Sequence, residues 1–414
     1  MLNLSEELYE FVWLWFPDIR GKIRCLTIPK EIEKNVVEKG IGFDGFSVGL
    51  APIEDSDLIL KPDETSSSIL KMERNLKRYF CYVLTPERKP CPLDSRYVLR
   101  RTLEGVKNEF GWEFLVAPEI EFFLLKKGKP LDTEIYFGFS NDLGESLRRN
   151  ISRELFKVGI LPRKNHHEVA PGQYEINFKY DNALRAADNT LTFKEIVRYV
   201  ARKWGLEANF MPKPFKGING SGMHCHINLR CGKRNLFYDE KKGGLSEIAL
   251  YFIGGLLEHA KGISAIIAPT VNSYKRLVPG YEAPNLICWG YRNRSAMIRV
   301  PLFNRKDCRI ELRSPDPSCN PYLAFSVILA AGIDGIERCI DPGPPLQKNA
   351  YRRNDLETLP GSLGEALEEM EKDGIAKKVL GDELYQKFLS LKKKEWDDYR
   401  LEVSEWEWRM YSSI

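Results

Sequence analysis

Residues 112–127 read WEFLVAPEIEFFLLKK, and the reading of this stretch decides the fold. It is aromatic, branched and aliphatic almost throughout, which suits a buried strand, and two acids interrupt it. In extended chain, residues two apart share a face, so Glu119 and Glu121 present two carboxylates to the same side. Like charges so placed repel. They are tolerated where they face water, or where a cation lies between them. For one such pair in isolation, a solvated strand edge is the simpler account.

The same period recurs elsewhere. Met223-His224-Cys225-His226 puts two imidazoles on one face, and Arg309-Ile310-Glu311-Leu312-Arg313 sets a carboxylate between two guanidiniums. Glu168 and Glu175 flank an Ala-Pro-Gly turn, and with His167 counted, three of the five histidines fall in or beside these strands. His-x-His by itself also fits exposed or core-packed histidines, or zinc. Many carboxylates with one or two histidines, however, favour magnesium or manganese over a sulfur-rich zinc or iron centre. Glu119, Glu121, Glu168, Glu175 and Glu311 carry five negative charges, so two divalent ions offset four of them and three leave a surplus suited to a polyphosphate. Arg294, Arg299, Arg309 and Arg313 add guanidinium forks that match phosphate or carboxylate oxygens. The expectation is a divalent-metal enzyme, with His224 and these five glutamates as ligands.

Outward from these strands, the chain reads as α+β. Residues 22–84 hold short β-rich runs separated by turn formers, which predicts a small sheet domain. The segment 85–96, TPERKPCPLDSR, marks a boundary, with Asp94-Ser95 offering an N-cap to a following helix. Beyond it, strand-like runs alternate with helical patterns near 184–204, 245–262 and 320–340, and the tail from Gly361 onward is helical and charged. The opening stretch, MLNLSEELYEFVWLWFPDIRGK, lacks a cleavage signature and reads as a folded amphipathic helix.

Composition narrows the class. A chain of 414 residues that is 43% hydrophobic can bury a large core, and two or three domains are expected. A net charge of +4, from 62 basic and 58 acidic residues, argues against nucleic-acid or membrane-surface binding. The longest apolar stretches are too short for a ~20-residue membrane span. Nine cysteines without CxxC pairs fit reduced thiols and a cytoplasmic protein.

Longer segments carry a resemblance. FDGFSVG (43–49), DLILKPD (57–63), PEIEFF (118–123), EVAPGQYEINFKYDNAL (168–184), FMPKPFKGINGSGMHCH (210–226), PTVNSYKRLVPGYEAP (269–284), RNRSAMIRVP (292–301), RIELRSPDPSCNPYLAF (309–325) and LPGSLGEAL (359–367) together resemble glutamine synthetase of the bacterial and archaeal type, in the family's order over nearly the whole chain. The resemblance implies a β-grasp-like domain over 1–88 and a catalytic domain over 89–414, built on a curved antiparallel sheet with a helical C-terminal region. It implies one metal site of Glu121, Glu168 and Glu175 and a second of Glu119, His224 and Glu311, with two to three magnesium or manganese ions. Glutamate would be held by Arg276, Asn219, Gly220 and Arg313. The ATP phosphates would be held by His226, Arg294 and Arg299, with Lys306 and Arg309 on the nucleotide side. Asp44 and Ser47 match an ammonium-binding region offered to a neighbouring subunit, Tyr136 a tyrosine lining that pocket, and Glu282 the carboxylate of a flap. Asp44, Glu282 and Arg294 would carry the catalytic roles. The implied reaction joins ammonia to L-glutamate through a γ-glutamyl phosphate, in a homododecamer of two hexameric rings with active sites shared between subunits.

Departures from the family pattern leave alternatives open. Phe46 stands where a serine is usual, Asn228 replaces a serine after His226, and Tyr291 replaces a small residue beside the arginines, where it would narrow the pocket or pack on the flap. Tyr351, near where some family members are adenylylated, reads as a surface-loop tyrosine. A ligase using another amine or a glutamate isomer, and a catalytically silent scaffold or nitrogen-responsive homologue, are the competing readings.

Overall fold

The structure, a computed structural model, describes residues 9–70, 76–241, 243–304 and 307–414. Two sheets organise it. The N-terminal sheet has the strand order Ile23–Pro29, Phe11–Pro17, Leu76–Leu84, Asp57–Pro62, Ile41–Asp44, with Ser68–Leu70 added beside Leu76–Leu84. A short helix, Glu33–Lys39, turns its buried Val36 towards this sheet. The expected N-terminal helix is corrected here: Phe11–Pro17 is a strand, antiparallel to Ile23–Pro29 and parallel to Leu76–Leu84, while residues 1–8 lie outside the described part. Trp15 is buried along with Val12, Leu14 and Phe16, so this inner strand shows no polar alternation, and a short apolar run of that kind cannot be told from a helix by its period.

Asp94 caps the helix Ser95–Phe110 through its side chain, as the sequence predicts. The chain then enters the long strand Glu113–Lys126, the centre of an eleven-stranded sheet. From one edge the main path runs Trp289–Tyr291, Ile298–Val300, Ile310–Leu312, Met223–Cys231, Glu113–Lys126, Gln173–Phe178, Pro162–His167. The helices Ala183–Lys203, Glu247–Glu258 and Pro321–Glu337 supply much of the apolar core behind it. Their positions follow the three helical patterns read from the sequence. The C-terminal region forms four further helices, and the last, Glu405–Tyr411, buries no residue. Among the described residues, no helix is long and apolar enough to cross a membrane.

Candidate active site

Strand register brings the expected ligands together. His166 lies opposite Glu175, which lies opposite Glu121. One step along, Lys164, Asn177, Glu119 and His224 form a second row across four strands. The third row is Ala117, His226, Glu311 and Arg299. Adjacent rows are two residues apart on each strand, so all three face the same side of the sheet. A period read along single strands thus becomes a two-dimensional field of ligating groups.

Backbone approach holds the inner end of this field. The Gly222 N–H donates to Glu121 Oε2 at 2.8 Å, and the Gln173 amide bridges that oxygen and the Gly220 carbonyl, both at 3.0 Å. A Cβ on Gly220 would stand 2.1 Å from the Pro212 carbonyl, and one on Gly222 2.7 Å from His224 Nε2. Only glycine fits at either place.

The electrostatics divide the carboxylates. Burial raises Glu121 to about 8, reinforced by the Glu168 charge, and burial with the charges of Glu119, Glu168 and Glu121 pushes Glu175 well up. Burial also acts against ionised Glu119 and Glu311. At Glu119 it is overcome by His226, Lys164 and Arg299, which bring the group to about 2; at Glu311 His226, His224, Arg313 and Arg299 hold it below its ordinary value. His224 is driven well below the usual histidine value by burial and the nearby Arg313 charge, so it stands neutral with a lone pair to offer.

All six expected metal ligands line one cavity of about 60 Å³, together with Tyr136, Asn219, Gly220, Arg276, Glu282, Arg294, Arg299 and Arg313. His226 and Arg309 line an adjoining cavity of about 390 Å³. Lys306 lies outside the described residues. Asp44 and Ser47 sit apart from both cavities, exposed at the end of the Ile41–Asp44 strand, with the Ser47 hydroxyl donating to the Asp44 carboxylate. That hydroxyl, against a small opposing effect of burial, and the N–H groups of Ser47 and Phe46 hold Asp44 below its ordinary value.

The grouping of ligands differs from the one the resemblance implies by one member in each set. The atoms that come within mutual reach are those of Glu119, His226 and Glu311, and those of His166, Glu168 and Glu175. His224 lies between the sets, 3.8 Å from Glu121 and 3.7 Å from Glu311. His166, which the sequence reading passed over for its neighbour, bonds Glu168 at 2.8 Å. His167 turns the other way, to Asp132 at 2.8 Å and to the Glu168 carbonyl at 2.6 Å. The signal was present, since His166 and not His167 stands two residues from Glu168.

The Glu282 loop closes one side of the cavity. Asn219 approaches the Glu282 carboxylate at 3.4 Å and Arg313 its carbonyl at 3.3 Å. Tyr351 corrects its surface-loop reading: it is half-buried and donates to the Ala283 carbonyl at 3.2 Å, because its turn packs against this loop. Tyr291 does not narrow the cavity; it is 44% exposed and stands edge-on to Trp289.

The residues present fit a divalent cation. Five carboxylates, of which Glu121 and Glu175 are raised by burial and neighbouring charge, share the cavity with a neutral imidazole, an oxygen-rich set of the kind hard cations take. Buried Asn177 Nδ2 and Oδ1, His166 Nδ1 and Arg299 Nε have no hydrogen-bond partner among the described residues, which leaves polar capacity on this face for a ligand.

Comparison with known proteins gives the family. The family model described as glutamine synthetase, catalytic domain matches residues 92–411, and that described as glutamine synthetase, beta-Grasp domain matches residues 9–86. The glutamine synthetase of Methanococcus voltae is 44% identical, covering 98% of this chain and 96% of that protein. That of Pyrococcus furiosus is 45% identical, covering 99% and 98% respectively. A solved structure named GmaS/ADP complex superposes with a TM-score of 0.92 at 35% identity, covering 99% of this chain and 98% of the other. With both domain models matched over most of the sequence and the ligand field assembled on one sheet face, the chain belongs to the glutamine synthetase family.

Proposed function

We propose that this protein joins ammonia to L-glutamate at the expense of ATP, through a γ-glutamyl phosphate, releasing glutamine, ADP and phosphate. The observation that carries the reading is the single cavity in which six ligand candidates meet Arg276, Arg294, Arg299 and Arg313, within a member of this family. A relative solved as an ADP complex supports nucleotide use.

Glu121, Glu168 and Glu175 would hold one magnesium or manganese ion and Glu119, His224 and Glu311 another, with His166 within reach of the first set and a third ion accompanying the nucleotide. A bound divalent ion supplies positive charge to the oxygens of the transferred phosphoryl group. Arg299 and Arg294 face the same space as guanidinium forks for those oxygens, and His226 and Arg309 carry the nucleotide side from the adjoining cavity, with Lys306 assigned there by resemblance. Arg276 and Arg313, with Asn219 and Gly220, bind glutamate. The Arg276 guanidinium is oriented for this by the carbonyls of Ser314 and Arg313 at 2.9 and 3.0 Å.

A carboxylate resists ammonia because oxide is a poor leaving group; phosphorylation of the γ-oxygen replaces it with phosphate. Ammonium must then lose a proton, which Asp44 and Glu282 attract and accept, with Tyr136 lining the pocket. The closed Glu282 loop keeps water from the acyl phosphate. Asp44 serves the cavity of a neighbouring subunit, in a dodecamer of two hexameric rings. Its exposed turn outside its own chain's cavities supports this. The same reading divides the chain at 88/89 and places the protein in the cytoplasm, where its nine unpaired cysteines are at home.

The test is steady-state phosphate release from ATP with glutamate, with and without ammonium. Ammonium-dependent release is expected, with Asp44→Ala losing ammonia use while retaining metal binding. No ammonium-dependent release at any concentration would overturn the reading.

A further inference from the structure

The two cavities adjoin. Among the described residues, only Glu119 and Lys164 line both. Their positions follow from register: Lys164, in the edge strand Pro162–His167, lies opposite Asn177, and Asn177 lies opposite Glu119 in the central strand. The lysine and the glutamate therefore lie on the same face of the sheet, one strand apart.

Lys164 and its neighbour Arg163 differ from the arginines of the carboxylate cavity in making no hydrogen bond or ion pair with any described group, and of the two only Lys164 lines both cavities. Arg276, Arg299 and Arg313 are each hydrogen-bonded to chain groups, whereas the Lys164 ammonium makes no hydrogen bond or ion pair with any described group. It stands exposed at the rim. Its flexible four-carbon stem lets the ammonium reach a group bound in either cavity. The wall beside it is unfinished as well: Asn177 is 5% exposed, yet neither its amide nitrogen nor its oxygen has a partner, and Asn228 Oδ1, in the same outer cavity, has none either. Arg163, Lys164 and Arg309 give that cavity more cations than the acids Glu119 and Asp307 offset.

We infer that Lys164 contacts the phosphate chain of the nucleotide where it passes from the outer cavity into the carboxylate cavity, and that it sets the preference for a triphosphate. The inference rests on the nucleotide assignment above. A triphosphate whose base end lies in the outer cavity and whose terminal phosphate reaches Arg299 would pass beside Lys164 and Glu119, the two residues common to both linings. Glu119 repels it unless a cation intervenes; Lys164 is the flanking group that attracts it.

Lys164→Ala and Lys164→Arg test this. The side chain is exposed and unbonded, so neither change is expected to disturb folding. Titration calorimetry with magnesium and without glutamate should show ATP affinity falling about tenfold in Lys164→Ala, ADP affinity falling less and AMP affinity unchanged, with Lys164→Arg within about twofold of the parent. In turnover, the KM for ATP should rise while the KM for glutamate stays the same. Unchanged ATP affinity in Lys164→Ala would overturn the inference, as would an equal loss for AMP or a loss confined to glutamate. If the parent binds ATP in this Lys164-dependent way but forms no glutamine, the reaction assigned above fails and the role of Lys164 stands. If the parent binds no nucleotide, both fail.

Discussion

Two clusters of buried charge in this chain are built on opposite plans. The first joins the two sheets. Arg96, 1% exposed, donates to Asp188 at 3.0 and 2.9 Å and to Asp63 at 2.8 Å, and its guanidinium lies 4.4 Å over the Tyr82 ring. Tyr322 adds a donor to Asp188 at 2.6 Å. Both carboxylates pair with Arg96, Asp188 also feels the charge of the buried Arg78, and Asp63 sits below its ordinary value because Arg96 and Thr65 outweigh its burial. The second cluster is the candidate ligand face, where Glu121 and Glu175 are pushed up by burial and by their neighbours. In the first set each carboxylate meets a guanidinium, although Arg96 Nη1 and Arg78 Nε find no hydrogen-bond partner among the described residues; in the second, carboxylates are gathered beside one another. Burial of charge therefore does not mark function here; like charge held beside like does.

The contrast can be broken at either end, and the largest effect is expected at the Arg96 cluster. Arg96→Met leaves Asp188 and Asp63 uncompensated and should cost about 3–5 kcal/mol in urea unfolding, with divalent-ion affinity unchanged. A loss under 1 kcal/mol would show that the cluster does not hold the sheets together. At the carboxylate cluster the sign reverses. Glu175→Gln removes like-charge repulsion, so the metal-free protein should melt no lower than the parent, while manganese affinity falls at least tenfold, or about 1.4 kcal/mol. Clear destabilisation of the metal-free variant would mean that this carboxylate is structural.

A third cluster sharpens the comparison with a smaller effect. His259 bridges Asp373, at 2.9 and 3.0 Å, and Asp334, at 2.9 Å, tying together the ends of three helices. Burial opposes its protonation, but the two carboxylates win and raise it above 6.5. A group raised on folding stabilises fully below its unfolded value and loses that contribution as pH climbs through its folded value. The stability gap between the parent and His259→Gln should thus be about 1 kcal/mol near pH 6, discounted for partial solvent access, and close as pH rises above the raised value. A gap that widens with pH would contradict the bridge.

Much of this was legible in the chain itself. The alternation of Glu119 with Glu121 and of His224 with His226 identified the face, because strand geometry fixes side-chain direction to a period of two. Helix starts were legible where a cap stood before an apolar pattern, as at Asp94. Less legible were features that depend on what packs alongside. Phe11–Pro17 lost its strand signature by being covered on both faces. His166 and His167 are indistinguishable by composition; the two-residue spacing of His166 from Glu168 is the one sign in the chain, and the register opposite Glu175 places it on the ligand face. Tyr351 gave no sign that its partner would be the Ala283 carbonyl, 68 residues away. The spacing of Asp44 from the cavities could not be read from FDG at all; the resemblance alone assigned it a role.

One feature of the Glu282 loop bears on timing. Glu282 has a φ of 56°, in the left-handed region, where a residue with a Cβ is held at a cost of about 1–2 kcal/mol. The loop is kept in place by Asn219, Arg313 and Tyr351 against its own backbone preference. Those three contacts offset the backbone cost. Two of them come from Asn219 and Arg313, the residues proposed above to bind glutamate, so glutamate bound there would compete for the grip on this loop, and its arrival and departure would be felt at Glu282.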